Sequence, residues 1–292
     1  MMEDSSARSW RDRELLTAAL PSTVIQVLFY AAPLLLMLVL TFQASRQFQL
    51  YWSWDLSTWS LALTRPHYWW TLARTLSTSL TCVALCLVIA FPMAYCMVTR
   101  LRAWDAHIKV LIVFAFLTDL VLKTYGWVLV LDQEGLANWL IRRTGLVEAG
   151  FDHGFIFTPY AALFGMVVNL LPFMIFTLYL SIEALDRDLL LAAYDAGATR
   201  LRAFWEVTVP LCVPGMAAGS AFVFILSMGS LLEERVLGGG KAPMMGSLIR
   251  QTFETRVNWP LGATLTTILV SATLLTIAVA WLTLVKNRRM PQ

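Results

Sequence analysis

Five long uncharged stretches constrain this chain more than any other feature of its sequence. They are residues 15–45, 75–99, 154–182, 207–232 and 257–285. A helix that crosses the hydrocarbon of a bilayer needs about 20 apolar residues, and each stretch is long enough. Because a spanning segment must pair its own backbone groups, each stretch is predicted to be an α-helix. A composition of 58% hydrophobic and 14% charged residues also excludes an ordinary soluble domain.

A sixth span is predicted over residues 110–131, which are apolar except for Asp119 and Lys123. The predicted fold class is therefore an all-α membrane protein with about six transmembrane helices. Residues 15–285 form the membrane domain, residues 1–14 a polar N-terminal tail and residues 286–292 a short C-terminal tail. The first apolar run is too long for a signal peptide and is expected to remain as an anchor.

The distribution of Lys and Arg predicts the orientation in the membrane. The short connections at residues 100–109 and 286–289 carry positive side chains directly beside predicted spans. Positive residues concentrate in cytoplasmic loops, so we expect both termini to be cytoplasmic. The same orientation places the charged stretch at residues 183–210 on the cytoplasmic side. The net charge of +3 is small and supports no inference of nucleic-acid binding.

Two charges fall within the sixth predicted span. Asp119 and Lys123 lie four residues apart, so on one helix they share a face and can pair. A charge at the centre of a membrane helix costs about 2.5–3.5 kcal/mol on translocon scales, which directs it to a bundle interior or a wet cavity. Two interpretations stay open: a mutually satisfied pair with Lys123 reaching toward the headgroups, or a polar patch beside Tyr125 and Trp127. Asn169, in the next span, is expected to hydrogen-bond between helices.

The charged stretch at residues 183–210 contains signals for a short helix. Asp186 or Asp188 can cap a helix that begins near Leu189, because a short carboxylate accepts the free backbone N–H groups of the first turn. Gly197 suits the left-handed conformation that ends such a helix. From these signals alone, an amphipathic linker on the membrane surface remains an alternative to a docking helix.

Spacing within this stretch carries a more specific signal. Ala192 and Ala193 precede Gly197 with three residues between, and Pro210 closes an aliphatic–proline pair. Further motifs lie at residues 123–127, 171–174, 189–198, 237–239 and 258–263. In this order they resemble the spermidine/putrescine-type permeases of binding-protein-dependent ABC importers. Two positions depart from that pattern: Leu191 stands where the family usually has glutamate, and Lys123 where arginine is common.

The resemblance implies the type I permease fold of ABC importers and a role for three groups of residues. The residues implied to couple to the ATPase are Leu191, Ala192, Ala193, Asp195, Gly197, Ala198, Arg202 and Pro210. Those implied to line the substrate path are Asp119, Lys123, Tyr125, Trp127 and Asn169. Those implied at the outer gate or the contact with the binding protein are Glu233, Glu234, Gly238, Gly239 and Gly240.

The resemblance also implies partners and a location. These are a second homologous permease, a dimer of ATP-binding cassette subunits, a periplasmic solute-binding protein and the lipid of a bacterial inner membrane. ATP and Mg would be used by the partner ATPase, and no cofactor is expected on this chain. A phosphate-binding loop is missing around residues 235–242, because Arg235 and Ala242 occupy positions that need glycine and a hydroxyl residue. The chain is therefore predicted to be a transport subunit and not an enzyme.

A different class of transporter is the alternative. A secondary transporter or channel subunit, driven by an ion gradient, would use Asp119 as its proton carrier. The four cysteines all fall in or beside predicted spans and show no disulfide or metal-ligand spacing. Cys82 and Cys86 are accordingly predicted to be buried small residues, and no metal site is expected.

Overall fold

The computed structural model describes residues 3–46, 49–51, 53–101, 104–144 and 155–288. The chain divides into two compact units. The first comprises residues 1–65 and 249–268, and the second comprises residues 66–248 and 269–292.

Almost every regular element in the described residues is helical. In chain order the elements are α1 (Glu3–Leu40), β1 (Ala44–Arg46), β2 (Gln49–Tyr51), α2 (Ser57–Thr64), α3 (Pro66–Thr99), α4 (Asp105–Leu117), α5 (Leu120–Leu131), α6 (Leu136–Thr144), α7 (Pro159–Glu183), α8 (Arg187–Asp195), α9 (Arg200–Ala203), a π-helical turn (Phe204–Thr208), α10 (Val209–Met228), α11 (Leu232–Val236), α12 (Met245–Glu254) and α13 (Trp259–Arg288).

Five helical segments of the described residues are long and apolar enough to cross a membrane. They are Thr23–Leu40, Pro66–Thr99, Pro159–Glu183, Arg200–Met228 and Trp259–Thr283. Each overlaps one of the five uncharged stretches, so the all-α membrane fold is confirmed. Helix α1 begins at Glu3, within the predicted N-terminal tail, and α13 ends at Arg288. Residues 289–292 of the predicted C-terminal tail lie outside the described residues.

The sixth predicted span is not one helix. Thr118 has an extended backbone with φ −74° and ψ 125°, so α4 ends at Leu117 and α5 begins at Leu120. The prediction of a continuous helix over residues 110–131 is therefore wrong. Asp119 explains the interruption, because its short carboxylate bonds to nearby backbone amides and stabilises a new helix start instead of a helix interior.

The first unit contains the anchor helix and a small hairpin. None of the 18 residues of the apolar segment Thr23–Leu40 in α1 is buried, as expected for a helix whose partners are lipid or other chains. Strands β1 and β2 pair antiparallel with Ala44 opposite Tyr51. The hydroxyl of Thr58 in α2 donates to the carbonyl of Thr41 at 3.0 Å, which ties α2 to the end of α1.

The second unit has its core between α3, α7 and α10. Fully buried side chains there include Cys82, Cys86, Met166, Met174, Leu178 and Val223. The prediction that Cys82 and Cys86 are buried is confirmed. Small residues let α10 approach α7 closely: a Cβ added at Gly219 would lie 2.3 Å from Thr177 Oγ1, and one at Gly215 would lie 2.4 Å from Ser181. This contact is typical of helix packing in membranes.

Valine at position 219 is expected to lower the free energy of unfolding by about 1–3 kcal/mol, the usual cost of overpacking. The added side chain would overlap Thr177 and come within 2.9 Å of the sulfur of Met174. The matched control is Gly126→Val in α5, because a Cβ there meets no atom within 4 Å. The free energy of unfolding of both variants can be measured in mixed detergent micelles. Equal stability of the two would contradict the close approach of α7 and α10.

Candidate functional site

The break between α4 and α5 determines where two predicted path residues point. The carboxylate of Asp119 caps α5, accepting from the amides of Val121 at 2.8 Å and Leu122 at 3.1 Å. The ammonium of Lys123 donates to the carbonyl of Ala115 in α4. In an unbroken helix that carbonyl would accept from the amide of residue 119. The two side chains thus replace backbone hydrogen bonds that the break removes.

Of the two interpretations left open for Asp119 and Lys123, the mutually satisfied ion pair is not the one found. Their four-residue spacing would allow an ion pair inside one helix, but Asp119 lies at the cap of α5 and not within a helix. Its carboxylate is used by the first-turn amides, and Lys123 turns back to α4. Capping is favoured over an ion pair between Asp119 and Lys123, because the helix ends at the break would otherwise leave backbone groups without hydrogen-bond partners.

A cavity of about 600 Å³ lies beside this break. Three of the five predicted path residues line it: Asp119, Lys123 and Asn169. The other lining residues are Ala115, Leu117, Thr118, Leu120, Leu170, Phe173, Leu226, Gly229, Ser230, Leu231, Leu232 and Glu233. Tyr125 and Trp127 are not among them. Tyr125 is exposed, and the ring of Trp127 packs edge-on against Phe164 with 4.8 Å between centroids.

A buried polar cluster joins three helices at the cavity wall. The Nδ2 group of Asn169 in α7 donates to Thr124 Oγ1 in α5 at 3.2 Å and to Glu233 Oε1 in α11 at 3.0 Å. The hydroxyl of Ser230 donates to the other oxygen of Glu233. All of this lies in the second unit. The expectation that Asn169 hydrogen-bonds between helices is confirmed.

The segment predicted at the outer gate has two different parts. Glu233 and Glu234 are buried, with 5% and 3% of their surface exposed. Burial raises the pKa of Glu234, although Ser247 and Arg235 act in the opposite direction. The glycines that follow form a turn, in which Gly239 and Gly240 have φ values of +61° and +67°. Gly239 also packs against Phe157, whose ring would lie 2.9 Å from an added Cβ.

The short helix predicted within residues 183–210 is present as α8. Asp186 caps it by accepting from the amide of Asp188 at 3.0 Å. Gly197 follows with φ +83°, and the amide of Ala198 donates back to the carbonyl of Ala193 at 3.0 Å. Helices commonly end in this way, in the Schellman motif: a glycine takes the left-handed conformation, and the amide of the next residue donates to a carbonyl five residues before it. The capping and termination predicted from the sequence are confirmed, with the first residue of the helix at Arg187 instead of Leu189.

The coupling segment, residues 183–210, presents apolar side chains on an otherwise polar stretch. Leu191, Leu201 and Trp205 expose 57%, 70% and 61% of their surface. Ala192, Asp195, Gly197, Arg202 and Pro210 are also exposed, whereas Ala193 and Ala198 are half-buried. Leu201 and Trp205 were not predicted to take part. Their signal in the sequence is large apolar residues set between Arg200, Arg202 and Glu206, a pattern that favours an interaction surface.

The π-helical turn anchors this segment to α3. The amide of Val209 donates to the carbonyl of Phe204, five residues back, so the turn is wider than an α-helix. Pro210 follows in the first turn of α10. The ring of Phe204 meets Phe91 and Tyr95 edge-on, with centroids 5.5 and 4.9 Å apart.

Among the described residues, no group of three or more His, Cys, Asp or Glu side chains is placed to hold a metal ion. The chemistry that the second unit offers is hydrogen bonding and charge at a cavity wall, together with an exposed helix between two long apolar helices. This combination is typical of a membrane transport protein.

The family is the binding-protein-dependent transport system inner membrane component, which matches residues 15–290, and the chain belongs to it. The protein is a permease subunit of an ABC importer. It is similar to the spermidine/putrescine transport system permease protein PotB of Escherichia coli K12, with 33% identity over 198 residues, 68% of this chain and 71% of that protein. It is also similar to PotC of the same strain, with 28% identity over 119 residues, 41% of this chain and 45% of that protein.

Solved structures of low sequence identity share the fold. A crystal structure of a bacterial ABC transporter that imports the acidic polysaccharide alginate matches with a TM-score of 0.68 and 17% identity, covering 98% of this chain and 100% of that chain. A second crystal structure holds the alginate transporter in complex with an alginate pentasaccharide-bound periplasmic protein. It matches with a TM-score of 0.66 and 16% identity over 96% and 95% of the two chains. The type I permease fold is thereby confirmed.

Proposed function

We propose that this permease works in an ATP-driven importer and carries a small polyamine-like solute across a bacterial inner membrane. The observation that carries the proposal is the coupling segment: a helix capped at Asp186, ended at Gly197 and exposing Leu191, Leu201 and Trp205. Such a surface needs a protein partner, because exposed apolar patches on a polar loop mark interaction sites. The partner of this surface is an ATPase subunit, which binds the ATP and Mg that this chain does not use.

The orientation follows from the positive residues and the coupling role together. With both termini and residues 183–210 in the cytoplasm, α7 ends and α10 begins on the cytoplasmic side. The C-terminal end of α10 and α11 then face the periplasm. The cavity, which includes Leu226 and residues 229–233, opens toward the side from which solute arrives.

Two further partners, besides the ATPase, belong to this proposal. The similarity to PotB and to PotC, two permease proteins of one transport system, supports a second homologous permease beside this one. The alginate transporter that shares the fold forms a complex with a periplasmic protein, which supports a solute-binding protein as the donor. A dimer of ATP-binding cassette subunits completes the assembly. The segment at Glu233, Glu234 and Gly238–Gly240 then forms the outer gate.

A mechanical route connects the coupling segment with the cavity. Lys109, near the start of α4, forms an ion pair at 3.0 Å with Glu183, which is the last residue of α7 and the first residue of the coupling segment. The other end of α4 is the break at Thr118, which lines the cavity. Movement of the coupling segment by the ATPase can therefore shift α4 as a short rigid helix and change the cavity wall. Helix shifts of this kind are a common form of switching.

The test is uptake by the assembled importer in proteoliposomes. Import of a polyamine such as putrescine is expected to need ATP, Mg and the cognate binding protein. A proton gradient without ATP is expected to support none. Uptake that persists with the gradient alone would contradict the proposal and favour an ion-driven transporter. A matched control is the same assembly with a non-hydrolysable ATP analogue, which occupies the ATPase without turnover.

A further inference from the structure

The cavity wall contains a carboxylate without a cationic partner. Glu233 is 5% exposed and accepts hydrogen bonds only from neutral groups, the amide of Asn169 and the hydroxyl of Ser230. The ion pairs found among the described residues do not include it. An ionised carboxylate buried without a countercharge is costly, and removing that cost requires a cation or a proton.

A cationic side chain that lines the same cavity is otherwise engaged. Lys123 lines the same cavity, but its ammonium donates to the carbonyl of Ala115, which the helix break leaves without a backbone donor. Among the described residues, Lys123 and Glu233 form no ion pair. The negative charge of Glu233 remains available to something that enters the cavity.

A second group beside Glu233 also lacks its partner. The oxygen Oδ1 of Asn169 accepts no hydrogen bond, although the residue is only 3% exposed and lines the cavity. Its orientation is determined by its neighbours: Thr124 gives its own proton to the carbonyl of Leu120, so its oxygen can only accept from Asn169. The carboxylate of Glu233 is also an acceptor. Both N–H bonds of Asn169 are therefore used, and Oδ1 is the atom that needs a donor.

We propose that Glu233, Asn169 and Ser230 together bind one protonated primary amine of the solute while it crosses the membrane. An alkylammonium has one positive charge and three N–H donors. The site offers one negative charge and three acceptors: a free lone pair of the Glu233 carboxylate, the unpaired Oδ1 of Asn169 and the Ser230 oxygen, whose proton goes to Glu233. This inference rests on the proposed function, because the cavity must be part of the import path.

The site is expected to select solutes by their charge and by the number of their hydrogen-bond donors. A neutral alcohol of the same length brings one donor per end and no charge, so it leaves Glu233 without a countercharge and Asn169 or Ser230 without a donor. Unpaired buried polar groups are the strongest means by which a site rejects a near-isosteric ligand. A diamine is therefore expected to bind, and the corresponding diol is expected not to.

Direct binding can be read from protection of Glu233 against a hydrophobic carbodiimide, located by mass spectrometry on the assembled importer in nanodiscs. Putrescine is expected to reduce labelling of Glu233, and butane-1,4-diol at the same concentration is expected to leave labelling unchanged. The variant Asn169→Leu keeps Glu233 but removes the unpaired oxygen. It is expected to raise the half-protecting putrescine concentration about tenfold or more, the value of one lost hydrogen bond to a charged group.

Uptake provides the second measurement. Glu233→Gln keeps the size of the side chain and is expected to lower the rate of ATP-dependent putrescine uptake about tenfold or more, as expected for a lost charge-assisted contact. The control is Glu254→Gln, since Glu254 forms an exposed ion pair with Arg250 on α12 and is not among the residues that line the cavity. Assembly with the partner subunits, measured by size-exclusion chromatography, shows whether the variants fold.

Two outcomes would overturn the amine site. One is labelling of Glu233 that putrescine does not change, and the other is a folded Glu233→Gln importer with the uptake rate of the unaltered protein. If the unaltered importer shows ATP-dependent uptake while either outcome holds, the amine site is wrong and the proposed function stands. If the unaltered importer shows no ATP-dependent uptake at all, the proposed function fails first.

Discussion

Substitution of Gly197 by valine is expected to lower ATP-dependent uptake about tenfold or more while the permease still inserts and assembles. Gly197 has φ +83°, a conformation that costs an L-residue about 1–2 kcal/mol and a β-branched residue more. A Cβ there would meet no atom within 4 Å, so the effect comes from the backbone alone. Valine is expected to shift the turn after α8, so that the surface of the coupling segment no longer fits the proposed ATPase partner. The measurement is uptake per ATP hydrolysed in proteoliposomes.

Gly197→Asn is the matched variant for this experiment. Asparagine tolerates the left-handed region better than any β-branched residue, so it is expected to keep most of the coupling. ATP hydrolysis that continues without uptake in the valine variant would indicate uncoupling. Full uptake with Gly197→Val would show instead that the turn at residue 197 plays no part in coupling.

Substitution of Asp119 by alanine is expected to destabilise the permease by about 1–2 kcal/mol and to impair uptake strongly. Asp119 accepts from two amides at the start of α5, and loss of a helix cap typically has this cost. The break that it stabilises also forms part of the cavity wall and holds the Ala115 carbonyl where Lys123 bonds to it. Alanine therefore changes the cavity as well as the stability. Thermal unfolding and uptake rates of the same preparation measure the two effects.

Asp119→Asn separates capping from charge. An asparagine oxygen can accept the same two amide hydrogen bonds, so this variant is expected to retain most of the stability and uptake. An ion-driven transporter that used Asp119 as a proton carrier would lose its activity with asparagine as fully as with alanine. Equal loss in both variants would therefore contradict the capping role and support the alternative class of transporter.

Helix length and local capping could be predicted from neighbouring residues alone. The five long helices follow from uncharged stretches that only a membrane can solvate, and each is stabilised by bonds inside the segment. Asp186 and Gly197 act through atoms within a few residues of themselves, so their roles are visible in the sequence. Leu201 and Trp205 show where such local prediction ends. Both are exposed, and composition alone does not tell which side of a short helix is covered by other residues.

Interrupted helices were harder to predict. Residues 110–131 have the composition of one span, and the spacing of Asp119 and Lys123 fits an ion pair on one helix face. A capping aspartate and a polar residue inside a helix look alike in sequence. The choice between them depends on whether surrounding helices can accommodate the break, and in this chain they form a cavity beside it.

Local sequence patterns are enough to predict that this protein lies in a membrane, where its long helices run and that α8 is capped by Asp186 and ended by Gly197, because these features depend on segment length and on contacts within a few residues. The meeting of Thr124, Asn169 and Glu233 beside one cavity is visible only in the folded chain. Their hydrogen bonds join residues 45 and 64 positions apart in the chain. Such contacts arise from the packing of α5, α7 and α11 against one another, which no local pattern of residues specifies.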